Sequence, residues 1–232
     1  MGIAQARGRV VALTTGHAAV TPAWARALIS PFAGPVGGVG GPLELATESG
    51  LVDWAIFYLR YSPYLSSKWP DGPVREEIAG DNAAYLLADL RRHASALRQG
   101  FWEFEFHQLL RAEGRTLWAA HAARANFGPS YRLSTFLRHR FRHGRLFAKT
   151  RIQQGTRSRL ALVAGAPIVP LLLAWRAARR VGGDRHHLVR FAASLPLFLL
   201  MAGTWAAGEA SGALAGSAKP VGPVVTSPRS AK

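Results

Sequence analysis

The chain has no cysteine, which excludes disulfides and thiolate metal sites and says little about compartment. Acid is the next scarcity: 13 Asp and Glu stand against 29 Lys and Arg, giving a formal net charge of +16. That imbalance suits a polyanion, either nucleic acid or the anionic face of a membrane. Charge of any sign is sparse at 18% of residues, whereas hydrophobic residues make up 49%, enough to build a core. The 232 residues suffice for one ordinary domain plus an appendage, or two small domains. The start, "MGIAQARGRVVAL", lacks an apolar run long enough for a secretory signal.

What is present is unevenly placed. From Arg132 to Arg159 there are nine Arg or Lys residues and no acid. Within this block "STFLRHRFRHGRLFAK" (134–149) sets Phe136, Leu137, Phe141 and Phe147 roughly on one helical face, with Ser134 as N-cap. An apolar stripe among arginines fits a helix lying in a membrane interface. A solvated basic helix docked on its own domain and a nucleic-acid-binding helix are the alternatives. Two apolar runs follow, "LALVAGAPIVPLLLAW" (160–175) and "FAASLPLFLLMAGTWAA" (191–207), of 16 and 17 residues, each containing proline. A spanning helix needs ~17–25 apolar residues, so both are borderline. If both span, the five arginines at 176, 179, 180, 185 and 190 lie across the membrane from the first basic block; a re-entrant or in-plane first helix avoids this conflict. Glu209, just past the second run, is expected at the interface. The Pro/Ser-rich tail, 217–232, reads as disordered.

Upstream, strands and helices alternate over residues 1–128, an α/β pattern. "RVVAL" (9–13) reads as a buried strand and "TPAWARALISPF" as a helix with Thr21 as N-cap and Pro22 at its first position. "GPVGGVGGPLELA" reads as an edge strand or a loop close to a ligand. A helix is expected at 51–61, ended by Ser62-Pro63, followed by a long loop over 62–80. "LLADLRRHASALRQG" reads as an amphipathic helix closed by Gly100, and "RTLWAA" as a short strand.

The stretch "QGFWEFEFHQLLRAEG" (99–114) places Glu103 and Glu105 among Trp102, Phe104 and Phe106. Acids in a first helical turn complement the helix dipole, and Glu103 is spaced to pair with His107 one turn on. The sharper reading makes one carboxylate a catalytic base beside an apolar wall, where burial raises its pKa.

Three stretches in order carry a resemblance: "ARGRVVALTTGHAAVTPAWARALISPF", "GDNAAYLLADL" and the Glu103 stretch. Together they resemble a family 2 glycosyltransferase of the GT-A fold, and the likeness continues through "RLSTFLRHRFRHGRLFA" and the paired apolar segments. The resemblance implies an inverting enzyme that transfers sugar from a nucleotide-sugar donor to a glycan or lipid-linked acceptor of the cell envelope. It implies Glu103 as general base, Asp81, Asn82, Trp102 and Glu105 at the substrate, and a divalent cation, Mg or Mn, on the leaving diphosphate. It divides the chain into a partial GT-A domain (1–130), a basic interfacial helix region (131–159), two hydrophobic membrane helices (160–216) and the tail. It implies a bacterial inner membrane with the α/β part cytoplasmic.

The sequence also departs from the family. Where members carry an acidic motif after the strand, it has Thr14-Thr15-Gly16-His17, leaving His17 as a weak candidate metal ligand. Asn126 stands where members often have His. The nucleotide-binding strands that members place before residue 9 are missing, which implies an uncovered sheet edge and a protein partner to complete it. These departures predict impaired catalysis, and the alternative is a non-catalytic basic membrane-bound scaffold or complex subunit.

Overall fold

A computed structural model describes residues 2–16, 18–94, 103–128, 132–153, 155 and 158–215. A short helix α1 (Gly2–Gln5) leads into β1 (Val10–Thr14), β2 (Ala18–Val20), α2 (Trp24–Ile29), β3 (Val36–Gly40), β4 (Leu43–Leu45) and α3 (Leu51–Tyr61). Two 3-10 turns precede β5 (Gly72–Val74), β6 (Asn82–Leu86), α4 (Leu87–Arg92), α5 (Glu103–Ala112), β7 (Thr116–Ala119) and β8 (Ala125–Phe127). The chain then turns helical: α6 (Leu133–Gln153), α7 (Arg159–Gly165), α8 (Val169–Val181) and α9 (Arg185–Leu214). The result is mixed helix and sheet with a C-terminal apolar helix, in agreement with the α/β reading at that level.

Five strands form one mixed sheet in the order β1-β6-β3-β7-β5, with β3 and β7 parallel and the other neighbours antiparallel. A smaller sheet, β2-β8-β4, lies beside it. The run "GPVGGVGGPLELA", expected as an edge strand or a loop, holds two strands: its glycine-rich part is β3, the central strand, buried at all five positions, and its end is β4, an edge strand of the smaller sheet. The glycines of β3 answer to large neighbours. A Cβ on Gly38 would stand 2.8 Å from the Tyr85 ring of adjacent β6, so the ring lies across the sheet only because position 38 has no side chain.

Other local expectations shift in register. Thr21 does not cap α2 through its side chain; its hydroxyl donates to the Ala122 carbonyl and ties the helix entry to the turn after β7. Ser134 lies inside α6, which begins at Leu133. The helix expected through Gly100 is described as α4 over Leu87–Arg92, while residues 95–102 lie outside the described residues. The 62–80 loop holds two 3-10 turns and β5.

The first apolar run is not one helix. Pro167 and Pro170 interrupt it, and α7 and α8 meet at a bend of 65°. The second run lies in α9, a 30-residue helix long and apolar enough to cross a membrane. Asp184 caps α9, its carboxylate accepting from the His187 N–H at 3.2 Å. Glu209 is not interfacial. It is 1% exposed, and Arg151 of α6 donates to it at 2.9 Å, because α6 packs along this part of α9.

The α/β part and the helical layer share one core. Leu43, Trp54, Tyr58 and Phe127 join Phe136 of α6, Ala177 of α8 and Phe191, Phe198 and Met201 of α9 in a single cluster. The divisions read at 130/131 and 159/160 therefore fall within a continuous packing unit.

Candidate functional site

Pairing of Thr14 with Asn82, Gly40 with Ala83 and with Ala119, and Gly72 with Ala119 collects one end of each of the five strands at one margin of the large sheet. Helix α5 reaches β7 through a reversal at Gly114, whose φ of 73° is the left-handed conformation that glycine takes freely. The helix packs against β7, which directs its first residue, Glu103, toward that margin.

Asn82 opens β6 at this margin and is fully buried. Its Nδ2 donates to the carbonyls of Pro42 and Ala123, each at 2.9 Å, and its Oδ1 accepts from Trp24 Nε1 at 2.7 Å. Both amide hydrogens are thus engaged inside the protein, where the side chain joins three segments. A Cβ at neighbouring Gly41 would lie 1.8 Å from the Ala123 carbonyl, so backbone closes over the carboxamide.

Asp81 lies outward of this knot and accepts from Arg60 at 2.9 Å and from the Tyr61 hydroxyl. Its carboxylate is 31% exposed, so a face remains toward solvent.

Glu103 and Glu105 are both exposed in the first turn of α5, and Phe104 beside them is 58% exposed. The apolar wall expected around the base is therefore not formed by Phe104. Trp102 and His17 lie outside the described residues. Glu103 does reach the margin electrostatically. The Tyr64 phenol is raised above its ordinary pKa by burial first and by the Glu103 carboxylate next. Tyr64 packs edge-on against Trp69 at 5.6 Å, and Trp69 Nε1 donates to the Gly40 carbonyl at 3.1 Å.

Glu103 does not pair with His107. That imidazole, fully buried on the inner face of α5, lies between Tyr85 and Glu77. The Tyr85 hydroxyl is 2.8 Å from its Nε2, and its Nδ1 meets the Glu77 carboxylate, which also accepts from Arg111 at 2.6 Å. Burial pushes the Glu77 carboxyl up, but hydrogen bonds from His107 and Arg111 outweigh it and hold the pKa below the ordinary value. Burial raises the Tyr85 phenol and keeps it protonated. This Tyr–His–Glu–Arg chain was invisible to sequence reasoning, because Glu77 lies in a loop 30 residues before His107. Its available signals were a histidine on the inward face of an amphipathic helix and a tyrosine within a buried strand.

The cation implied by the family resemblance finds a poor donor set. The turn after β1 offers the Thr14 and Thr15 hydroxyls and no carboxylate, and the Thr15 hydroxyl is buried without a partner among the described residues. Magnesium and manganese favour carboxylate oxygen. Among the described residues no three His, Asp or Glu side chains converge as metal ligands. Asn126 is exposed in β8, paired with Ala19 and Glu44 of its neighbours. A groove of about 500 Å3 lies apart from Glu103, between α2 and β7, lined by Arg26, Ser30, Asp71 and Trp118.

In comparisons with known proteins, the chain matches no family model and no curated sequence.

Proposed function

We propose that this is a membrane-associated, glycosyltransferase-like protein acting on a nucleotide-sugar donor and a glycan or lipid-linked acceptor, with catalysis weakened by the turn after β1. The supporting observation is the meeting of an exposed carboxylate, Glu103, with the margin where five strand ends, Asp81 and Tyr64 converge. In the proposed step an acceptor hydroxyl attacks the anomeric carbon and Glu103 takes its proton. The new carbon–oxygen bond forms as the bond to the diphosphate breaks on the opposite face, inverting the centre. In this reading Asp81, held by Arg60 and Tyr61, accepts a hydrogen bond from the sugar. Glu105, exposed in the same first turn of α5, is assigned to the substrate in this proposal on the strength of the family resemblance. A divalent cation would neutralise the leaving diphosphate; because the donor set at Thr14–Gly16 does not suit it, no step here depends on one. A bacterial inner membrane with the α/β part on the cytoplasmic side belongs to the same proposal.

The absence of a carboxylate in that turn favours a second reading, a non-catalytic basic scaffold derived from a glycosyltransferase. Transfer of labelled sugar from a panel of nucleotide sugars to extracted membrane lipid and glycan separates the two. The intact chain should incorporate label, and Glu103→Gln should reduce incorporation by roughly 10²-fold or more. No incorporation by either protein, or equal incorporation by both, removes Glu103 as the base and leaves the scaffold reading.

A further inference from the structure

The helical layer carries apolar surface that the protein itself does not cover. On α7, α8 and the bend between them, Leu160 is 79% exposed, Ile168 and Leu171 64% each, and Trp175 54%. A second stripe runs along α9 through Leu188, Val189, Pro196 and Leu200. Arginines bound this surface. Arg159 opens α7, Arg176 and Arg179 follow Trp175 on the exposed side of α8, and the Arg179 guanidinium lies 4.9 Å over the Trp175 ring. Apolar side chains rimmed by arginine and tryptophan match acyl chains beneath anionic headgroups.

Length alone would let α9 cross a bilayer, but its neighbours argue against it. The second half of α9 packs along α6, which carries six Arg or Lys residues and no acid. A Cβ on Gly208 would stand 2.2 Å from the Phe141 carbonyl, and one on Gly212 would stand 2.6 Å from that of Arg145. The two helices are therefore in backbone contact over at least a turn. Trp205 Nε1 donates to His143 at 3.0 Å, and Arg151 is paired with Glu209. A crossing α9 would carry α6 into hydrocarbon with Arg138, Arg142 and Arg145 exposed, among the costliest side chains to place there. The α7–α8 bend adds a backbone argument. Four residues after Ala166 is Pro170, which has no N–H to return to the Ala166 carbonyl. Exposed irregular backbone of this kind is excluded from the bilayer centre and tolerated at its wet boundary.

We infer that the protein is monotopic: α7, α8 and α9 lie in the plane of an anionic bilayer, their exposed apolar side chains in one leaflet, their arginines at the headgroups, and both ends of α9 on one side. The inference rests on the membrane attachment in the preceding reading and not on its sugar chemistry. It also removes the topological conflict, since the basic block of α6 and the arginines of α8 and α9 then face the same headgroups.

The lack of cysteine provides the background for a test. Single cysteines replace Arg185 and Leu214, exposed residues at opposite ends of α9. The full-length protein is added to preformed vesicles of phosphatidylcholine with phosphatidylglycerol and treated with a membrane-impermeant maleimide. Both cysteines should be labelled fully from outside; protection of either end until detergent is added overturns the inference. In flotation, the unmodified protein should rise with these vesicles and much less with pure phosphatidylcholine. Leu171→Asp and Trp175→Asp should each weaken binding roughly tenfold or more, a change of ~1.4 kcal/mol or above. Both side chains are exposed, so thermal unfolding should stay unchanged, and Ile168→Gln offers an uncharged check in the same direction. Undiminished flotation of these variants, or equal binding to neutral vesicles, also overturns the inference. Sugar transfer is not read in either assay, so failure here and failure of the glycosyltransferase reading are separate results.

Discussion

At Asn82 one carboxamide joins Trp24, Pro42 and Ala123, three segments far apart in the chain. Replacing it by alanine would leave an indole N–H and two carbonyls without these partners in a buried place. Asn82→Ala should therefore destabilise the fold by about 2–4 kcal/mol, read from chemical denaturation. Asn82→Asp should cost at least as much, because a carboxylate cannot donate to either carbonyl. The Tyr85–His107–Glu77 chain gives a different residue-scale prediction, in pH. The Glu77 carboxyl has its folded pKa lowered from the ordinary 4.5. Its stabilising contribution is then present above that ordinary value and is lost as pH falls through the lower, folded value. Stability measured below about pH 4.5 should fall less steeply in Glu77→Gln than in the native protein. Sequence could single out Asp81 and Asn82 as a polar pair after glycine, and Glu103 as an acid opening a helix. It could not say which of them faces inward, since that depends on partners brought in by the sheet.

Single elements were legible where a chemical interruption marked them. The two prolines that divide α7 from α8 are plain in "APIVP", and the apolar periodicity of α5 marks its buried face. The glycines misled, because β3 and the α6–α9 contact use them for close approach rather than for turns. Gly144 would place a Cβ 2.1 Å from the Trp205 carbonyl, while five residues before Gly208 on the same α9, Gly203 has nothing within 4 Å. Opposite effects of one substitution follow. Gly208→Ala must force α6 away from α9 and should destabilise by about 1–3 kcal/mol. Gly203→Ala meets no obstacle and should stabilise by about 0.5–1 kcal/mol, through the lower helix propensity of glycine. Thermal unfolding of the two variants in one detergent checks both signs, and equal shifts would mean that the helices do not touch as described.

For the molecule as a whole, composition pointed correctly to mixed α/β structure with a C-terminal apolar helix, but a linear division into parts hid the shared core. The reason is physical: α3 is apolar on more than one face, with Trp54, Ala55, Ile56, Phe57 and Tyr58 all buried, so the sheet alone cannot cover it. Helix α9 supplies the missing cover. The Tyr58 ring meets Phe191 edge-on at 5.4 Å, its hydroxyl donates to the His187 carbonyl at 3.0 Å, and Arg190 lies 5.7 Å over Trp54. Ending the chain after Ser158 would uncover Trp54 and Tyr58 and loosen Phe136, which belongs to the same cluster. At ~1.5–3 kcal/mol for each large side chain returned to water, the loss is about 5–9 kcal/mol. A domain's entire stability is commonly ~5–15 kcal/mol. The truncated chain should thus lose fixed tertiary packing, seen as a flattened near-ultraviolet circular dichroism signal and strong binding of an apolar dye. A truncated protein with native-like aromatic signals and cooperative unfolding would instead make the helical layer a detachable anchor, and the shared core would be dispensable to the fold.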